Sequence, residues 1–210
     1  EDQRSFGWYC GFVAVTALPT AYLVFLSGDV GLTGLWLLWA VLWAAFFVLL
    51  ALERDDLDLL HRSRNNPAIR SWLTFETPSA MDDIESFYES TVLGDGNVNL
   101  VVCIDGEPAG TVVLFDISRH SAELAAWLFP EYQGEGYGRE ASELLIDHGF
   151  SDLGLHRIRA KAPADNEPSR GLIRSLGFAK VGVARDAVFQ RGAYQDMVRY
   201  DLLSDEWLTS

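Results

Sequence analysis

The stretch AELAAWLFPEYQGEGYGREA, residues 122–141, decides the fold. Ala122 to Phe129 is apolar apart from Glu123, and with Ser121 it predicts a strand over Ser121 to Phe129 that Pro130 ends. Glycines then fall at alternate positions, Gly134, Gly136 and Gly138, before a helical pattern over Gly138 to Phe150. A glycine-rich turn between strand and helix aims successive backbone N–H groups into one concavity at a helix N-terminus, which suits a pyrophosphate. The spacing is not G-x-G-x-x-G, and no P-loop lysine follows. Taken alone, the run could be only a turn.

Upstream, Asn99 to Ile104 and Gly110 to Phe115 are valine-rich runs around Asp105-Gly106-Glu107-Pro108, which reads as a β-hairpin. Earlier still, Asp56-Leu57-Leu59-Leu60 and Ile69-Trp72-Leu73 predict two amphipathic helices, the second started by Pro67, and Met81 to Glu89 a third, capped by Ser79. Downstream, a strand is expected over His156 to Ala162, a helix over Ser169 to Leu176, and strands over Val181 to Val183 and Val198 to Leu203. Hairpins first and βα units later give an α+β class with a mixed, mainly antiparallel sheet flanked by helices.

The chain has 210 residues and a formal charge of −14. That balance excludes nucleic acid as a partner, because phosphate-backbone binding needs a basic stripe. Two cysteines, Cys10 and Cys103, make neither a disulfide scaffold nor a Cys-rich zinc site, and the four histidines show no H-E-x-x-H pattern, so no metal is expected. Glu1 to Leu52 is only −2, so most of the acid lies beyond it, where Lys161 and Lys180 are the only lysines. Acid excess with so little lysine fits a halophilic source, because carboxylates hold hydration under strong screening.

Phe6 to Leu26 and Val30 to Leu52 contain no charged residue. As helices they would reach roughly 31 and 34 Å, enough for a hydrocarbon core of about 30 Å. Joined by Ser27-Gly28-Asp29, they predict a transmembrane hairpin, residues 1–52, ahead of a second domain, 53–210. Arg54, Arg62, Arg64 and Arg70 follow the second run, which would put both ends in the cytoplasm. FGWYCGFVAVTALPTAYLVF and GLWLLWAVLWAAFF resemble two consecutive helices of the amide/urea channel family, whose pores are aromatic-lined six-helix bundles. A generic membrane anchor is the alternative, and a lipid bilayer is the implied partner of residues 6–52.

The soluble part resembles the GNAT acetyltransferases. Gln133-Gly134-Glu135-Gly136-Tyr137-Gly138 fits their acyl-CoA loop, Q-x-x-G-x-G. LGLHRIRAKAPADNEPSRGLIRSLGFAKVG, DAVFQRGAYQDMVRYDLL and the earlier HRSRNNPAIRSWL are similar, in order and spacing, to the ribosomal-protein N-acetyltransferase (RimJ/RimL-like) branch. The resemblance implies acetyl transfer from acetyl-CoA to a primary amine, a peptide N-terminus or a small amine. It further implies that the strand before the loop splays from its neighbour, so that Trp127, Leu128 and Phe129 pair with pantetheine while Gln133 to Arg139 (Gln133, Gly134, Glu135, Gly136, Tyr137, Gly138, Arg139) cradle the pyrophosphate. Asn166 and Ser169 match positions near the CoA sulfur, and Glu123 matches a glutamate used as base. The family's tyrosine acid is replaced by Ile173, which passes that role to Ser169, Tyr137 or water. A backbone N–H near Leu128 or Phe129 would meet the oxyanion. The acceptor loops would lie around Arg62–Trp72 and Val188–Tyr194, which carry no decisive motif.

One departure is expected. Relatives begin with a strand V-x-L-R-x-L, which is missing here, with the hydrophobic hairpin joining at Leu52–Glu53. The chain starts with Glu1, as a channel segment spliced to an acetyltransferase would. The enzyme would then be membrane-anchored with its catalytic domain in the cytoplasm, or simply cytoplasmic if the hydrophobic segment is foreign to it. The rival reading is a channel fragment with a vestigial tail, and it gains if the missing strand stops the sheet from folding.

Overall fold

The computed structural model describes residues 47–73, 77–94 and 96–208, with side chains from Leu49 onward. Among them seven strands form one sheet in the order β1-β2-β3-β4-β5-β7-β6. They are β1 Phe47–Ala51, β2 Val98–Ile104, β3 Glu107–Ser118, β4 Ser121–Leu128, β5 Arg157–Pro163, β6 Ala179–Gln190 and β7 Ala193–Leu203. The β4–β5 pair is parallel and the other five pairs are antiparallel, so the mixed α+β sheet is as expected.

Helices α1 Leu57–Asn65, α2 Pro67–Arg70 and α3 Met81–Phe87 cover one face. On the other lie α4 Tyr137–Ser151 and α5 Glu167–Ser175, and α6 Ser204–Leu208 follows β7. Strand alternation divides the apolar residues between the faces. Val102 and Ile104 join Val112, Leu114, Leu145 and Ile146 in the α4 core. Val101 and Cys103 point the other way, to Leu57, Leu60, Ile69 and Ile84. Arg64 reaches into this second layer with its guanidinium 3.9 Å from the centre of the Phe87 ring, and burial pushes its pKa down from the ordinary arginine value.

The first strand is present, which corrects the expectation that it is missing. Phe47–Ala51 pairs antiparallel with Ile104–Leu100 of β2. Phe47-Val48-Leu49-Leu50-Ala51-Leu52 follows the relatives' pattern with Phe47 where they have valine and Leu50 where they have arginine. Leu49 is buried in one core and Leu52 in the other, while Leu50 is 41 % exposed. Without a charge at position 50 the in–out alternation is written in leucines on both sides, so it merges with the apolar run before it.

The same strand shortens the second expected membrane run, whose last residues are extended and not helical. Residues 30–46, which remain ahead of it, would reach about 26 Å as a helix, short of a hydrocarbon core of about 30 Å. The hairpin as expected over 6–26, with the rest of 30–52, lies outside the described residues. No helix among the described residues is long and apolar enough to cross a membrane.

Smaller corrections follow from local hydrogen bonding. Ala80, not Ser79, sits at the N-cap of α3, its N–H donating to Asp83 Oδ2 at 2.9 Å. Ser79 is instead held by Asn65, which donates to its carbonyl and accepts from its N–H. The last two strands are far longer than expected and form one hairpin through Arg191-Gly192.

Candidate active site

Beside the glycine loop the sheet opens. β4 and β5 pair only at Ser121–Arg157, Ala122–Ile158 and Glu123–Arg159. Beyond that point β4 stays with β3 as far as Leu128, and β5 stays with β7 as far as Pro163. The two strands therefore diverge and leave a gap with backbone groups of β4 along one side.

Those groups can be assigned. The Phe129 N–H donates to the Ala109 carbonyl at 2.9 Å, so it faces β3, which leaves Leu128 of the two expected oxyanion donors. Backbone direction alternates along a strand, so Leu128 faces the gap. Its carbonyl accepts from Gln133 Nε2 at 2.8 Å, which agrees with that direction. By the same alternation the Leu128 N–H faces the gap, where it can donate to a carbonyl. Trp127 and Phe129 point to the α1–α2 side, their rings edge to face at 5.5 Å.

The loop is formed as the glycines dictate. Gly134 and Gly136 have φ of 91° and 94°, and Gly136 is the N-cap of α4. A Cβ at either would meet no protein atom within 4 Å, so the φ angle and not crowding demands glycine, and the concavity is open to a ligand. The Gln133 side chain is tied to Leu128 and anchors the loop; it is not aimed outward at a phosphate. Glu135 is exposed. Arg139 is paired with Glu143 at 2.7 Å. Glu140, in the first turn of α4, has its pKa raised by burial and by Glu143.

Glu123 stands at the last paired position before the strands part. Its side chain is 13 % exposed and its Oε1 lies 2.8 Å from Lys161 Nζ. This is the third rung of a ladder on one face of β5, after Arg157–Asp201 at 2.6 Å and Arg159–Asp116 at 2.5 Å. The alternate residues Ile158, Ala160 and Ala162 face the α4 core. On the far side of the gap, Asn166 caps α5, its Oδ1 accepting the Ser169 N–H at 3.1 Å. That leaves its Nδ2 as the group a ligand could meet. Ser169 is half-buried in the first turn of the same helix.

The sequence reading missed an arch over this gap. On the β4 side, the Arg62 guanidinium of α1 lies 4.7 Å from the centre of the Phe129 ring. On the β5 side, Arg191 at the β6–β7 tip donates to Asp165 at 2.8 Å. The two walls are tied together: Gln190 Nε2 donates to the carbonyls of Trp72 and Leu73, and Arg191 sits 4.6 Å from the Trp72 ring centre. Between them is a cleft of about 440 Å³ whose lining includes Pro67, Arg70, Leu73, Phe189, Gln190 and Arg191. Both expected acceptor loops contribute to it, and no motif marks Gln190 or Lys161 in advance.

A mixed sheet parting beside a glycine loop, with an acyl-CoA Q-x-x-G-x-G run at a helix start, defines an acetyl-CoA-dependent acyltransferase. The chain belongs to the GNAT acetyltransferase family: the acetyltransferase (GNAT) domain model matches residues 47–179. It is 32% identical over 161 residues to the spermidine N(1)-acetyltransferase of Escherichia coli (strain K12), covering 75% of this chain and 86% of that one. It is 30% identical over 155 residues to YdaF of Bacillus subtilis (strain 168), whose name assigns it provisionally to ribosomal N-acetyltransferases, covering 69% and 82%. The spermidine N-acetyltransferase of Vibrio cholerae, solved in complex with CoA and spermine, superposes with a TM-score of 0.72 at 30% identity, covering 77% of this chain and 98% of that one. The AmiS/UreI family transporter model matches residues 1–81. It overlaps the first match over 47–81, where β1, α1 and α2 pack into the acetyltransferase fold.

Acetyl-CoA is the acetyl donor, and the residues fit it: an open loop with two left-handed glycines, a helix start and a strand with backbone groups facing a gap. Among the described residues no group of three or more His, Cys, Asp or Glu could hold a metal ion.

Proposed function

We propose that the chain acetylates the primary amine of a peptide N-terminus, a ribosomal protein's being the first choice, with the opening between β4 and β5 as the observation that carries the reading. The amine nitrogen bonds to the acetyl carbonyl carbon, the C–S bond breaks, and the proton lost by nitrogen balances the one gained by the CoA thiolate. Gln133 to Arg139 hold the pyrophosphate end. Trp127 to Phe129 line the arm, with Leu128 N–H as the donor to the carbonyl. Glu123 takes the ammonium proton through water, and Ser169 or Tyr137 returns one to sulfur.

A second reading, a polyamine acceptor, is favoured by the relatives named as spermidine acetyltransferases. The channel-fragment rival loses its main support, since β1 is in place. In this reading residues 6–26 remain the segment a bilayer would take, with residues 47–208 on the cytoplasmic side. Calorimetric titration of acetyl-CoA into the full chain, at low and high KCl, followed by acetyl transfer to N-terminal peptides and to spermidine, tests it. Binding and transfer to peptides are expected; absence of acetyl-CoA binding would remove the proposal.

A further inference from the structure

The cleft under the arch differs from a polycation site in its charge. Its lining holds two guanidiniums, Arg70 and Arg191, and no carboxylate among the described residues. Arg191 is already paired, with Asp165 at 2.8 Å, and stacked on Trp72. Arg70, half-buried at the end of α2, makes no ion pair among the described residues. A guanidinium held on a short capped helix is a ready fork for a carboxylate, and it opposes a second ammonium group. The walls are fixed, because Gln190 is 7 % exposed and donates to two carbonyls of the opposite wall. Its Oε1 is buried without a donor, so the tie is kept although it leaves an acceptor unmatched.

We infer that this cleft selects an acceptor whose amine is followed by a carboxylate, an amino acid or a peptide with an acidic residue near its N-terminus, and that Arg70 binds that carboxylate. The inference rests on the acetyltransferase reading and on the cleft being the acceptor side of the gap. The overall negative charge of the chain pulls the other way at long range, but salt screens it within about 10 Å at 0.1 M while contact pairs persist.

The test uses the full chain with the C-terminally amidated dipeptides Ala-Glu and Ala-Gln, so that the Glu side chain is the one carboxylate that differs, and with spermidine, in wild type, R70Q and R70K. Wild type is expected to show a kcat/KM at least 10-fold higher for Ala-Glu than for Ala-Gln. In R70Q the preference collapses through KM with kcat kept, and R70K restores part of it. Equal use of the two dipeptides, a preference for spermidine, or a preference that survives in R70Q would overturn the inference. Calorimetry separates the two levels. Acetyl-CoA binding without Ala-Glu binding overturns the inference and leaves the enzyme class standing, whereas loss of both removes the underlying reading as well.

Discussion

Lys161 Nζ lies 2.8 Å from Glu123 Oε1 at the position where β4 and β5 part company. The pair places a nearly buried carboxylate at the head of the gap and holds its rotamer from the neighbouring strand. A group so placed can order a water toward an amine entering from the arch side.

Glu123→Gln is therefore expected to lower kcat roughly 10²-fold, the usual scale for one general acid–base group. Acetyl-CoA affinity should change little, since the carboxylate lies away from the glycine loop. Lys161→Met should lower kcat less. Steady-state kinetics with titrations of acetyl-CoA check both, and full activity in Glu123→Gln would make the pair an ordinary rung of the β5 ladder.

The glycine loop gives a binding prediction. A Cβ at Gly138 would lie 3.6 Å from Leu128 Cδ1, ordinary contact, and the residue does not have positive φ, so Gly138→Glu can fold. In the proposed reading it adds bulk and charge where the phosphates would sit. Acetyl-CoA binding by calorimetry should be lost with the far-ultraviolet circular dichroism unchanged. Gly136→Glu should behave alike, with some added strain at φ 94°.

Glu140 gives a pH dependence. Burial and Glu143 raise its pKa, so the folded state holds the proton more tightly than the unfolded one. Stability from this group is present below the unfolded pKa and is lost as pH rises through the folded pKa. In the proposed reading its carboxylate, when ionised, also opposes the phosphates. Glu140→Gln should tighten acetyl-CoA binding about two- to threefold at neutral pH and low salt. That gain should vanish as the pH falls through the raised pKa, where the wild-type carboxyl is itself neutral. Titrations at several pH values measure it.

Leu49 tests the first strand. Its side chain is 9 % exposed and packs in the α4 core, so Leu49→Ala should cost about 2–3 kcal/mol, the lower part of the usual range. In a thermal melt of the full chain that is a fall on the order of 5–10 °C. Leu50→Ala, on the exposed side of the same strand, should leave the melt nearly unchanged.

Local pattern determined the parts of this protein whose chemistry is local. The strand ending before Pro130, the alternate glycines at 134, 136 and 138, the Asp105-Gly106 turn and the Asn166 cap are each fixed by φ preference, ring geometry or a side chain reaching three residues along. So the glycine loop and the α+β class were legible. β1 was not, because an edge strand of leucines with no charge has the same composition as the end of a membrane helix, and only pairing to β2 distinguishes them. The site's other half also required the tertiary structure. The choice between Leu128 and Phe129 as oxyanion donor turned on a hydrogen bond from Phe129 to Ala109, twenty residues away. Gln190 and Arg191 gained theirs by meeting Trp72, more than a hundred residues away. Contacts of that range leave no periodicity or spacing in the chain; they exist only once the sheet brings a hairpin tip over the gap between β4 and β5.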